Sequence, residues 1–221
     1  MNYSIIVYII GYVLKIEGLF LLLPCLTALI YQEPSGFAFL ISAAICLFLG
    51  IITTYKKPQN NVFYGKEGFV TVSLCWVVLS IFGALPFLLN KEIPSIPDAL
   101  FETISGFTTT GSTILTDIEA LSKCSLLWRS FTHWIGGMGI LVFVLAILPI
   151  AGGGSQMYLM RAESPGPSVS KLVPRVKHTA MILYGIYIVI TIIEIILLLI
   201  GGMPFFDALT SAFGTAGTGG F

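Results

Sequence analysis

Charge is what this sequence has least of. Only 10% of its 221 residues are Asp, Glu, Lys or Arg, and eleven bases balance eleven acids. Zero net charge argues against an electrostatic nucleic-acid binder or bulk attraction to an acidic substrate, and leaves the information in where charges sit. Histidine is scarcer still, with only His133 and His178. Neither has a second ligand at i+3 or i+4, so the pattern does not read as a metal centre. Four cysteines, Cys25, Cys46, Cys75 and Cys124, lack CxxC spacing. Three lie inside apolar runs, which suits small buried hydrophobes better than a disulfide frame. No His/Asp/Ser or metal-ligand set recurs on one face of an apolar segment, so an enzyme is not expected. The N-terminus also lacks a basic n-region and an AxA-like cleavage site, so its apolar run is expected to be a retained first span.

Apolar side chain is what the sequence has in excess. At 56% hydrophobic, a chain of this length holds more of it than a soluble core could hide, which predicts an all-α membrane protein. Crossing a hydrocarbon core takes about 20 apolar helical residues, because unpaired backbone is costly in lipid. Five segments reach that length: Ile5 to Ile30, Phe37 to Thr54, Phe69 to Leu89, Leu126 to Ile150 and Thr179 to Ile200. Two more, Asp98 to Phe107 and Asp207 to Ala216, are mildly apolar and would give only about 15 Å of helix. They are too short to span.

The bases cluster. Lys56, Lys57 and Lys66 fall between the second and third spans, and Arg161, Lys171, Arg175 and Lys177 between the fourth and fifth. The remaining connections hold only Lys91, Lys123 and Arg129. The positive-inside rule then places both basic loops and the N-terminus in the cytoplasm, and both short segments outside. Glu33, Glu92, Asp98, Glu102, Asp117, Glu119 and Asp207 all fall outside in this topology, either as an acidic mouth that concentrates cations or as ordinary solvated loop charges. Within spans, Lys15, Glu17 and Glu194 are expected to pair or snorkel.

A shift of 109 residues lays "DALFETISGFTTTGS", Asp98 to Ser112, over "DALTSAFGTAGTGGF", Asp207 to Phe221, with five identities in fifteen positions. Each copy follows a full span and a proline-bearing connection, so the unit reads as span, half-helix, Gly/Thr loop, span. Asp98 and Asp207 sit where N-caps of the half-helices would lie, which aims the carbonyl ends inward toward a cation. Glycine lets successive carbonyls turn toward one axis, and threonine hydroxyls add oxygen ligands. Rings of such oxygens replace the water around an ion such as K⁺, and oxygen-only ligation suits a hard cation. A Gly/Thr-rich turn that only joins two helices is the plainer alternative. "WIGGMGI" places Gly136, Gly137 and Gly139 in the following span, where close helix packing is the favoured role and a hinge the other.

These residues resemble the Trk/Ktr potassium-transporter superfamily, and within it the TrkH/TrkG branch. The likeness rests on "DALFETISGFTTTGSTIL", "WRSFTHWIGGMGILVFVLAILPI", "RAESPGPSVSKLVPR" and "MPFFDALTSAFGTAGTGGF". It implies membrane-pore-membrane repeats with re-entrant pore helices, preceded by an extra N-terminal transmembrane helix pair. On that pattern residues 1–57 form the pair, 58–150 the first repeat, 151–177 a cytoplasmic loop, and 178–221 the start of a second repeat. It further implies that Thr109, Thr110, Gly111 and Ser112 form one filter strand and that Thr218, Gly219, Gly220 and Phe221 begin the next. The implied function is potassium uptake across the bacterial inner membrane, with K⁺ as the transported ion and no cofactor. The implied partners are the lipid bilayer, a second copy in a homodimer, and a cytoplasmic nucleotide-binding regulatory subunit like TrkA. The family carries four repeats per chain, so an incomplete product is expected here, with a split transporter as the alternative. A noncatalytic membrane scaffold without conduction is the competing functional class.

Overall fold

A computed structural model describes residues 2–58, 65–139 and 176–221, with the backbone alone at 65, 66 and 176–180. Eight helices account for most of these residues, and the described part contains no β-strand, the strands named below being short irregular segments outside any sheet. They are α1 (Tyr3–Phe20), α2 (Leu22–Tyr31), α3 (Gly36–Thr54), α4 (Gly65–Leu89), α5 (Ile96–Phe107), α6 (Lys123–Met138), α7 (Val176–Ile200) and α8 (Phe205–Ala216). Four stretches are long and apolar enough to cross a membrane: Tyr3–Tyr31, Gly36–Thr54, Glu67–Leu89 and Met181–Ile200.

The first span is not one helix as expected, but two, broken at Leu21. Pro24 supplies the reason. Proline has no N–H for the carbonyl four residues back, here Phe20, and its ring crowds that carbonyl. The expected fourth span from Leu126 to Ile150 begins earlier, at Lys123, and its helix stops at Met138. Gly139 closes it at φ 75°, a conformation that glycine adopts without steric cost. Residues 140–150 of that segment lie outside the described residues, as does most of the expected cytoplasmic loop, including Arg161, Lys171 and Arg175.

α1 lies against α3 at very close range, because glycines stand where side chains would collide. A Cβ on Gly50 would come 2.8 Å from the Gly11 carbonyl oxygen, and one on Gly18 would come 3.1 Å from that of Ala43. Small residues bring helices together in this way where lipid supplies no hydrophobic drive between them. The centre of the molecule lies where α1, α3, α4, α5 and α6 meet, around the fully buried Phe39, Phe87, Phe107 and Trp128.

Two glutamates from other elements finish the start of α6. Glu33, between α2 and α3, accepts the Lys123 N–H at 2.8 Å and the Cys124 N–H at 3.1 Å. Glu92, between α4 and α5, accepts the Ser122 N–H at 3.1 Å and the Ser125 hydroxyl. These are the N–H groups a helix leaves without internal partners, and a carboxylate there also complements the helix dipole. Two of the seven acids expected at an outer mouth therefore have a structural task.

Candidate ion-coordinating site

The two short helices have matching designs. Both contain twelve residues and end where the sequence predicted, but both begin two residues early. Asp98 and Asp207 are consequently not N-caps. The caps are Ser95 and Pro204, without side-chain capping bonds, and each aspartate is the third helical residue. Proline explains the earlier start: Pro97 lies in the first turn of α5 and Pro204 just before α8, where a missing N–H costs nothing and a fixed φ favours the helix. The aspartates still sit in the first turn, where a negative charge stabilises a helix by about 0.3–1 kcal/mol.

The ends of α5 and α8 share their first two closing bonds. Thr108 N–H donates to the Ile104 carbonyl at 2.9 Å and Thr109 N–H to that of Gly106 at 3.0 Å. One repeat further on, Gly217 N–H donates to Phe213 at 3.0 Å and Thr218 N–H to Thr215 at 2.8 Å. The strands that follow share an unusual backbone. Thr109 and Gly111 have φ of 53° and 74°, and Thr218 and Gly220 have 69° and 65°. The residue between each pair, Thr110 or Gly219, is not left-handed. Positive φ at alternate residues lets successive carbonyls turn toward one side, the arrangement in which backbone oxygens can stand in for the water around a cation. A β-branched threonine in the left-handed region is a steric outlier, and strain of about 1–3 kcal/mol per residue persists only where surroundings enforce it, chiefly at functional sites.

The two strands also touch. A Cβ on Gly111 would overlap the Gly219 carbonyl oxygen, and one on Gly219 would come 2.9 Å from the Thr109 carbonyl oxygen. Glycine is thus required at Gly111 twice over, by hand and by space. All eight expected coordinating residues, Thr109 to Ser112 and Thr218 to Phe221, belong to this pair of neighbouring strands. The Thr110 hydroxyl is tied to that of Thr108 at 2.8 Å. The Phe221 ring is packed into protein, stacked on His133 at 5.3 Å and lying 3.5 Å from the Arg129 guanidinium.

Behind the first strand lies a buried ion pair that sequence reasoning missed. Glu102, on α5, accepts from Arg129 Nε at 2.6 Å, from the Thr113 hydroxyl at 2.8 and 3.0 Å, and from the Ile114 N–H at 3.1 Å. Arg129 and Glu102 are both almost wholly buried. The Ser105 hydroxyl adds a 2.6 Å bond to the Ser112 carbonyl. The signal was present in the sequence, since a carboxylate inside a ten-residue apolar segment calls for a cation nearby. Glu102 had been grouped with the outer acids, and Arg129 with the scattered bases.

α6 carries the remaining site residues. Cβ atoms on Gly136 and Gly137 would overlap the Phe107 carbonyl and crowd Gly217 at 3.0 Å, so these two glycines let α6 run against both strand origins. Gly139 terminates the helix instead, and its carbonyl accepts the Tyr184 hydroxyl at 3.0 Å. His133 is fully buried with neither ring nitrogen hydrogen-bonded. It fills the space beside Gly217 and Gly219, so that a Cβ on either would strike its ring.

Apolar helices of spanning length around two half-helices that end in paired strands of alternating hand define a multi-pass helical membrane protein with irregular backbone held inside it. Such backbone persists within a membrane only where protein buries it or water lines it. Residues 35–221 match the family model "TrkH: Cation transport protein". The Trk system potassium uptake protein TrkH of Vibrio parahaemolyticus is 39% identical over 226 residues, covering 100% of this chain and 46% of that protein. Its Salmonella typhimurium counterpart is 41% identical over 226 residues, with 100% and 46% covered. The TrkG protein of Escherichia coli is 34% identical over 221 residues, covering 98% and 45%. The crystal structure of the V. parahaemolyticus potassium transporter TrkH superposes with a TM-score of 0.77 at 33% identity, over 96% of this chain and 42% of that one. The chain belongs to the TrkH family of cation transport proteins. It spans just under half the length of the curated relatives it matches.

Proposed function

We infer that this chain is part of the ion-conducting subunit of a Trk-type potassium uptake system. In this reading the carbonyl and hydroxyl oxygens of Thr109 to Ser112 and of Thr218 to Phe221 replace the water around K⁺. The observation that carries it is the matched left-handed geometry of Thr109/Gly111 and Thr218/Gly220 in two strands that touch. Helix-packing glycines alone, as in a scaffold, give no reason for two threonines to hold a strained backbone in register. Named relatives are potassium uptake proteins, which supports the same ion.

The remaining assignments follow from this reading. Residues 1–57 are the extra helix pair, 58–150 the first membrane-pore-membrane repeat, 151–177 a cytoplasmic loop, and 178–221 the start of the second repeat, with α5 and α8 as re-entrant pore helices. The protein sits in the inner membrane with a cytoplasmic N-terminus, works as a homodimer, and meets a TrkA-like nucleotide-binding subunit on its cytoplasmic side. It carries K⁺ without a cofactor and performs no catalysis.

Expressing the gene's whole reading frame in a potassium-uptake-deficient bacterium tests the proposal. Growth in low K⁺ and rubidium uptake are the expected results, and neither appearing sinks it. Gly111→Ala is expected to lower K⁺ over Na⁺ discrimination, whereas unchanged discrimination argues against the strand assignment.

A further inference from the structure

Glu17 occupies the midpoint of the Tyr3–Tyr31 span. It is 1% exposed, and neither carboxylate oxygen has a hydrogen-bond partner. Its surroundings come from four helices. Gly83 of α4 lies beside it, so that a Cβ there would stand 3.3 Å from Glu17 Oε1 and 3.0 Å from both Thr103 and Phe107 of α5. α3 lies alongside, with Ala43 and Leu47 against Gly18, the next residue of α1.

The polar groups nearby are engaged elsewhere. The Thr103 hydroxyl donates to the Ala99 carbonyl at 2.8 Å and the Ser42 hydroxyl to that of Ala38 at 2.8 Å. Trp128 Nε1 donates to the Gly83 carbonyl at 2.9 Å. The cations are committed too. Arg129 holds Glu102, and Lys15 reaches the other way, over the Tyr12 ring at 4.9 Å. Among the described residues, titratable groups on the packed faces reduce to the buried thiols of Cys46 on α3 and Cys75 on α4, and to Glu102 on α5.

An ionised carboxylate at this depth is costly, and here no donor or cation offsets it. A carboxylic acid that keeps its hydrogen avoids that cost. We propose that Glu17 is a proton-binding site, a neutral carboxyl held between α1, α3, α4 and α5 at the mid-depth of the first span. The bound species is a proton alone: the nearby oxygens are engaged, and among the described residues no group of three His, Cys, Asp or Glu side chains is placed to hold a metal ion. Its position gives it a bearing on ion passage: Phe107, which shares the Gly83 contact, is the last residue of α5 before the first strand.

Infrared spectra of the purified chain in lipid at neutral pH test the proposal. The expected result is a carbonyl absorption from an un-ionised carboxylic acid in the wild type, lost in both Glu17→Gln and Glu17→Met. A wild type without that absorption overturns the proposal by itself, whether or not the variants fold. An absorption that persists in both variants, with their helical amide signal intact, overturns it equally. Neither readout depends on ion conduction, so it stands or falls separately from the potassium reading.

Discussion

The first and second strand units carry the same backbone on different supports. Thr109 and Thr218, like Gly111 and Gly220, agree in hand, and the first two bonds closing α5 and α8 correspond, while the third runs from Thr110 to Ser105 in one and from Gly220, one position later, to Gly214 in the other. The side chains behind them do not correspond. Where the first copy has Glu102, tied to Arg129, Thr113 and Ile114, the second has the exposed Ser211. Where the first has Ser105 bonded to Ser112, the second has Gly214, whose absent Cβ would lie 3.1 Å from the Phe221 carbonyl oxygen. The first copy is braced from its own half-helix, α5. The second is held by α6, through His133 and the Arg129 guanidinium against Phe221. Backbone geometry is thus the property the repeat keeps, while the means of enforcing it is free to vary.

Six substitutions, two of them controls, should sharpen or break that contrast. Arg129→Ala has the largest expected effect. It strands the buried Glu102 and removes the platform over Phe221, for a loss of about 3–5 kcal/mol, read as a lowered thermal midpoint in detergent. Ser211→Ala, on the unbraced copy, should stay within about 0.5 kcal/mol. Equal effects at the two positions would mean that the brace contributes nothing.

Gly111→Ala comes next, because it meets both the left-handed φ and the Gly219 carbonyl. Gly220→Ala meets only the φ penalty of about 1–2 kcal/mol, since nothing lies within 4 Å of its Cβ position. The first should therefore be the more damaging in the same melting assay, and a reversed order would refute the contact between strands. Ser105→Ala deletes the single bond to Ser112 and is expected to cost about 1 kcal/mol, measurable by chemical denaturation. Thr218→Gly is the mildest. It relieves a left-handed β-branched residue at the expense of chain entropy, so stability should change by less than about 1 kcal/mol, in either direction, while ion selectivity falls through the lost rigidity.

Much of this was legible in the chain. Period and length gave three of the expected spans as helices close to their predicted limits, and the 109-residue shift located both half-helices to the residue at their C-termini. The errors have local causes. Prolines decided the starts of α5 and α8 and the break at Leu21, overriding the apparent aspartate caps and the unbroken apolar run. The Glu102–Arg129 pair and the Glu33 and Glu92 caps escaped because they join residues 27 to 91 positions apart, and nothing in one sequence says which distant charges will meet. A shared charge sign had suggested a common task for the outer acids, whereas packing gave several of them separate partners.

The glutamate caps on α6 carry a consequence for how the two ends of the described chain are tied together. The first turn of that helix is completed by Glu33, about ninety positions earlier in the chain. The turn between α2 and α3 thereby acts as a locating pin, setting where the helix behind both strands begins.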